Sequence, residues 1–290
     1  MAMAIEDIAA SAFASDLDEA KKAYMLPNNC QEILRMKNQH EWIKGSFGGL
    51  IKAPFEYEKK GQRILDSAAA DGTWLVDLST LLVPETELVG FDIAPELFPP
   101  TELLPANVKL LPGDLSKDLP TEWTRSFDLV HQRFIFPGFP GDTIRDFLAR
   151  LMLCVKPGGW IQLVEPAADE MVSGPDPTAF NVLHKLASMY MKTPNPKDVI
   201  LSTLHEGGFV NINVESADLV IGKFQENKEL GIRGRRSMRD AVKNMSGMSS
   251  PAALDLSQHE YDNLVERFDE DTEKYRTAVQ HTIIWAQRPQ

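Results

Sequence analysis

The chain has 290 residues, 43% of them hydrophobic, with two cysteines and a formal net charge of −12 at pH 7. That length and apolar content suffice for a large core and exclude a largely disordered chain, while the acidic balance disfavours non-specific attraction to nucleic acid or anionic lipid. Cys30 and Cys154 are too few for a disulfide framework or a zinc site, which predicts a reducing, cytoplasmic setting and no metal.

Met1 to Asp7 has neither the basic flank nor the apolar run of a signal peptide, and no stretch is long enough to span a bilayer. A helix is expected from about Glu6 to Ala23, ended by Pro27, and a second over Gln31 to Lys44, where Ile33, Leu34, Met36 and Ile43 recur at helical spacing. Strands and helices then alternate. The expected strands are Arg63–Asp66, Glu87–Asp92, Val108–Leu111, Phe127–His131 and Trp160–Glu165, with helices at Trp74–Leu82 and Thr143–Val155. Such alternation predicts a mostly parallel sheet covered on both faces. Further on come helices at Phe180–Met191 and Val199–Gly207 and a strand at Val210–Glu215. Ile221 to Ser257 lacks clean periodicity and carries Arg233, Arg235, Arg236 and Arg239, which predicts a loop-like insertion near the site. A helix from Ser257 to Tyr275 leads to a last strand, Ala278–Gln287. The organisation expected is a helical cap over 1–60, a core over 61–215, a substrate-side insertion or lid over 216–277, and a last core strand over 278–290.

The most informative stretch is Gln62 to Trp74, a short apolar strand running into a small-residue turn that opens a helix. In an open α/β sheet such a turn brings backbone N–H groups and a helix N-terminus up to a ligand. Asp66-x-Ala68-x-Ala70-x-Gly72, Val89-Gly90-Phe91-Asp92, Gly113-Asp114-Leu115, Phe127 to His131 and Lys156 to Trp160 follow in that order. Together they resemble the class I S-adenosylmethionine-dependent methyltransferases. Tyr24-Met25-Leu26-Pro27, Arg35, Gln39-His40, Gly48 to Pro54 and Asp128 to Phe134 are similar to a fungal methyltransferase family typified by a regulator of secondary metabolism.

The resemblance implies a Rossmann-like α/β sheet of seven strands in the order 3-2-1-4-5-7-6, the seventh antiparallel. It implies that Asp66 and the turn through Ala68, Ala70 and Gly72 contact the methionine part of S-adenosylmethionine, and that Asp92, followed by Ile93, binds the ribose. Asp114 and Leu115 would flank the adenine, and His131, Gln132 and Arg133 would stand where the fourth strand meets cofactor and substrate. Tyr24, on the cap beside Pro27, reads as a cover for the cofactor or as a structural residue of the core. The family reads D-x-G-x-G-x-G, and only Gly72 of its three glycines survives here. Alanine at 68 costs little if φ is negative. A positive φ at Ala70 would cost about 1 kcal/mol or more.

His131 is the candidate general base, or else a histidine that orders the pocket. Arg133 would neutralise a carboxylate or enolate, or pair with a local aspartate. His40 reads best as a helix-packing histidine, and Glu165 as a substrate hydrogen-bonding group or a solvated one. The arginine cluster reads as a solvated or substrate-gating loop, and Met189, Met191, Met238, Met245 and Met248 as apolar lining or plain core. The first functional expectation is an O- or N-methyltransferase acting on an apolar small molecule. The alternative is a cyclase, pericyclic reactions of the Diels–Alder type included, with the cofactor non-reactive or absent. A third is a binding partner of a companion regulator. No nucleic acid or membrane partner is expected, and a homodimer is left open.

Overall fold

The computed structural model describes residues 29–172 and 178–290; the helix expected over 6–23 and Tyr24 with its neighbouring motif lie outside them. The first element is α1 (Cys30–Phe47). The Asn29 side chain accepts a hydrogen bond from the Glu32 N–H, and Gly48 ends the helix at φ 74°, where a glycine has no Cβ to clash. Next come β1 (Arg63–Ser67), α2 (Thr73–Ser79), β2 (Glu87–Asp92), β3 (Val108–Pro112), β4 (Phe127–Arg133) and α3 (Gly141–Cys154). The chain continues through β5 (Val155–Val172), α4 (Thr178–Tyr190), α5 (Lys197–Glu206), β6 (Val210–Ile221), α6 (Lys228–Ser246), α7 (Gln258–Asp262), α8 (Leu264–Lys274) and β7 (Thr277–Gln287).

The seven strands form one sheet in the order β3-β2-β1-β4-β5-β7-β6. β7 runs antiparallel to β5 and β6, and the other pairs are parallel. The expected topology is therefore the observed one. Burial on both faces explains why the central strands read as apolar runs. Leu65, Val130 and Leu163 pack with Phe147 and Leu148 of α3 on one face, while Ile64 and Leu129 pack with Trp74, Leu75 and Leu78 of α2 on the other. A third cluster joins Trp42, Phe180, Val242 and Phe268 to Val279 and Ile283 of β7.

The largest departures from expectation lie beyond β5. Both β5 and β6 run well past their expected ends because β7 pairs with them as far as Val172↔Ala278 and Ile221↔Thr277. The boundary expected at 215/216 falls inside β6, so the segment linking β6 to β7 begins after Ile221. That segment holds the long helix α6 where a loop-like insertion was expected. Its buried positions are Gly231, Gly234, Ser237, Val242 and Met245. A Cβ on Gly234 would stand 2.7 Å from the Trp42 ring, so the small residue is what lets α6 approach α1. The arginines of α6 face acids: Arg233 meets Glu229 at 3.0 Å, Arg239 meets Asp269 at 2.8 Å, and Arg235 bonds Glu273. They tie α6 to itself and to α8. The single helix expected over 257–275 is two, α7 and α8, separated at Asn263.

Candidate functional site

The carboxyl ends of β1, β2, β4 and β5 form one edge, the place where doubly wound sheets bind ligands. Parallel register sets Asp66 beside His131 and Ser67 beside Gln132. Because strand side chains alternate, the first pair faces α2 and the second faces α3.

On the α2 face, His131 Nδ1 lies 2.7 Å from Asp66 Oδ1, and the imidazole stacks on the Trp74 indole with ring centroids 3.8 Å apart and planes 1° from parallel. The side chain is 1% exposed. Burial lowers its pKa, Arg133 adds to that, and Asp66 opposes both without reversing the direction. His131 is thus fixed by its neighbours, with Asp66 on Nδ1 and the Trp74 indole against the ring. Arg133 ends β4 on the same face; burial lowers its pKa against the pull of Asp66 and Asp71. Phe134 follows at φ 61°, a conformation an aromatic residue rarely adopts, with its N–H bonded to Val164 O.

The turn after β1 is left-handed at Ala68 (φ 54°), Ala70 (φ 49°) and Gly72 (φ 75°). The condition under which Ala68 would cost little, a negative φ, is not met: both alanines keep the glycine conformation, at about 1–2 kcal/mol each. The strain is held by Asp92, whose Oδ2 accepts the Ala70 N–H at 2.8 Å and Oδ1 the Ala94 N–H at 2.9 Å. Hydrogen bonds to a carboxylate contribute about 1.5–3 kcal/mol each, enough to offset the alanines. Burial raises the Asp92 pKa, with these two N–H groups opposing. Asp71 accepts from the Thr73 N–H and hydroxyl at 3.1 and 2.7 Å and so opens α2.

Asp114 is turned onto Ser116, accepting its N–H and hydroxyl at 2.8 and 2.7 Å. Leu115 is buried in the cluster that α3 covers. Ile93 is half-buried after Asp92. His40 joins α1 to α2 through Asp77 Oδ2 at 2.8 Å, as a packing histidine does, and burial lowers its pKa to about 4. Lys44 binds the same Asp77 oxygen at 2.7 Å and Glu41 at 2.9 Å, so an ammonium already neutralises the His40, Glu41 and Asp77 group.

The α3 face is different. Glu165 Oε1 accepts Gln132 Nε2 at 2.8 Å and the N–H groups of Ile135 and Phe136 at 3.3 and 3.4 Å. Glu165 Oε2, Gln132 Oε1 and Ser67 Oγ are buried and have no hydrogen-bond partner among the described residues. Each such atom costs about 1–3 kcal/mol and marks a place to look for a ligand. A cleft of about 640 Å³ between α1, β6 and α6, lined by Gly45, Asp218, Leu230 and Arg276, includes none of these residues.

No family model matches the chain. It is 62% identical over 276 residues to N-methyltransferase verN of Clonostachys rogersoniana, covering 95% of this chain and 96% of that protein. The chain belongs to this family of fungal N-methyltransferases. N-methyltransferase gliN of Aspergillus fumigatus follows at 30% over 283 residues, 94% of this chain and 99% of the relative. N-methyltransferase sirN of Leptosphaeria maculans is 28% identical over 283 residues, 94% and 97% of the two chains. Among solved structures, Haemonchus contortus phosphoethanolamine N-methyltransferase 2 in complex with S-adenosyl-L-methionine aligns at a TM-score of 0.47 and 19% identity, over 88% of this chain and 52% of that one. The protein is therefore a methyltransferase, for which the sequence motifs imply S-adenosylmethionine as cofactor, and none of these relatives carries the name of a cyclase.

The carboxyl edge fits that cofactor. The turn retains the left-handed backbone despite its alanines, a carboxylate ends β2, and buried polar atoms stand unpartnered beside it. Sequence reasoning missed Trp74 as the platform for His131 and Asp77 as the partner of His40. Trp74 had a signal in its position just after the turn.

Proposed function

We propose that the protein methylates a nitrogen of a small, largely apolar molecule at the carboxyl edge of its sheet, in the cytoplasm. The names of its relatives support nitrogen as the acceptor atom. Two free cysteines, Cys30 and Cys154, and the absence among the described residues of any helix long and apolar enough to cross a membrane support the setting. The observation that carries the assignment of the edge is the strained turn at Ala68 and Ala70 pinned on the Asp92 carboxylate. Strain of this kind persists where surroundings over-determine it, and it keeps backbone N–H groups pointed at a ligand.

S-adenosylmethionine, when bound, supplies an electrophilic methyl group on a positively charged sulfur. Asp66, with the turn through Ala68, Ala70 and Gly72, holds the amino-acid end, and Arg133 adds a cation beside it. Asp92 takes the ribose hydroxyls with the lone pairs its two backbone bonds leave free, and Asp114 with Ile93 borders the base. His131 orients Asp66 through Nδ1, and the Trp74 stack fixes its ring. Positioning two reactants in line supplies most of the rate.

Calorimetry with S-adenosylhomocysteine tests this placement. Asp92→Ala should weaken binding by about tenfold or more, 1.4 kcal/mol, with the circular dichroism of the folded protein retained. Unchanged affinity removes Asp92 from the cofactor site.

A further inference from the structure

On the α2 face Asp66 and His131 are bonded to each other, whereas one step along the same strands the hydrogen bonding stops short. Glu165 Oε1 is saturated by three donors, Gln132 Nε2 and the N–H groups of Ile135 and Phe136. The other carboxyl oxygen, Oε2, and the free end of the neighbouring amide, Gln132 Oε1, are buried without a partner among the described residues. Glu165 is 3% exposed and Gln132 not exposed at all, so bulk water does not satisfy them. The orientation of the Gln132 amide follows from its own bond, since turning it would set its oxygen against Glu165 Oε1. With Glu165 ionised both orphans are acceptors, and both lie on the α3 face at the carboxyl edge.

We propose that Glu165 Oε2 and Gln132 Oε1 form the subsite for the acceptor's N–H, with Glu165 as the catalytic residue that takes its proton. This rests on the N-methyltransferase reading above. The proton released from nitrogen, as nitrogen's lone pair forms the bond to the methyl carbon and the carbon–sulfur pair leaves to sulfur, passes to Oε2. Atoms and charge balance without another reactant. The saturated Oε1 fixes the carboxyl so that only Oε2 receives the proton. Burial, against the hydrogen bond from Gln132 and the backbone donors, raises this carboxyl to about 8, so the carboxylate that takes the proton forms as pH rises toward that value and, once formed, is a stronger base than an ordinary glutamate. An amine or an amide supplies the N–H equally well.

The test uses the whole protein saturated with S-adenosylhomocysteine and two pairs of probes: benzylamine against benzyltrimethylammonium, and N-benzylacetamide against N-benzyl-N-methylacetamide. Only the first member of each pair carries an N–H. The readout is the infrared carboxyl band of Glu165, assigned by its loss in Glu165→Gln, with Glu165→Asp as the second variant should the first not fold. The expected result is a shift of that band by an N–H probe and none by its partner. A response to benzylamine alone identifies an amine site and a response to N-benzylacetamide alone an amide site, and both support the proposal. In Glu165→Gln, S-adenosylhomocysteine should bind within about twofold of the unmodified protein, a difference under 1 kcal/mol. Equal shifts within both pairs, or no shift with any probe while S-adenosylhomocysteine binds, overturn the proposal and leave the methyltransferase reading standing. A loss of S-adenosylhomocysteine affinity of about tenfold or more in Glu165→Gln also overturns it, by giving Oε2 to the cofactor. Failure of the unmodified protein to bind S-adenosylhomocysteine removes both readings.

Discussion

The two faces of β4 at its carboxyl end are built on opposite principles. Toward α2, His131 is clamped between the Asp66 carboxylate and the Trp74 indole. Toward α3, Gln132 and Glu165 are clamped to each other yet each leaves an oxygen with no donor. A satisfied buried network rigidifies its surroundings, while an unsatisfied one stores a cost that a ligand removes. Adjacent residues on one strand thus differ in kind: His131 is engaged on Nδ1 and one ring face, while Gln132 keeps an unpartnered oxygen among the described residues.

The strongest way to break the closed face is Trp74→Ala. Trp74 is 2% exposed and carries both the His131 stack and the packing of α2 on the sheet. Removing a buried indole should cost about 3–5 kcal/mol, read from urea unfolding. A loss below about 1 kcal/mol would mean that the stack supports nothing. The open face is sharpened by pH. Folding raises the Glu165 carboxyl from 4.5 to about 8, so its contribution to stability is full below the unfolded value and is lost as pH rises through the folded one. Every pH unit separating the folded from the unfolded value corresponds to about 1.4 kcal/mol. The stability advantage of the unmodified protein over Glu165→Gln should therefore fall steadily between pH 5 and pH 8, roughly the window between those two values. His40 and His281, each lowered to about 4 by burial, act with the opposite sign, losing stability as pH falls below their ordinary value; they are common to both proteins and cancel in the difference. A gap that does not move with pH would place Glu165 among ordinary carboxylates.

Much of the fold was legible because the central strands are buried on both faces and so appear as apolar runs such as Ile64-Leu65 and Leu88-Val89. α6 was not legible, because the first half of its buried stripe is Gly231, Gly234 and Ser237, which carry no hydrophobic signal although they face the core; only Val242 and Met245 further along do. The ends of β5 and β6 were missed because only the antiparallel partner β7, distant in the chain, extends them. At the site, Asp66 and Asp92 could be placed, since a carboxylate at a strand end has one edge to face. The stack of His131 on Trp74 and the orphan oxygens of Gln132 and Glu165 could not, because engagement and its absence are properties of packing between elements.

The turn between the two faces offers the finest adjustment. Ala70 sits at φ 49° with its N–H bonded to Asp92. Ala70→Gly relieves about 1–2 kcal/mol of left-handed strain, but a glycine also adds unfolded-state freedom of about 0.4–1 kcal/mol. The net gain should be about 0.5–1 kcal/mol, a rise of a few degrees at most in Tm for a chain of this size. The same substitution leaves the Asp92 bond in place, so affinity for S-adenosylhomocysteine should hold or improve. A lower Tm would show that the Ala70 methyl packs favourably enough to outweigh its conformation. The alanines would then be a stabilising adaptation of the turn rather than a strain it tolerates.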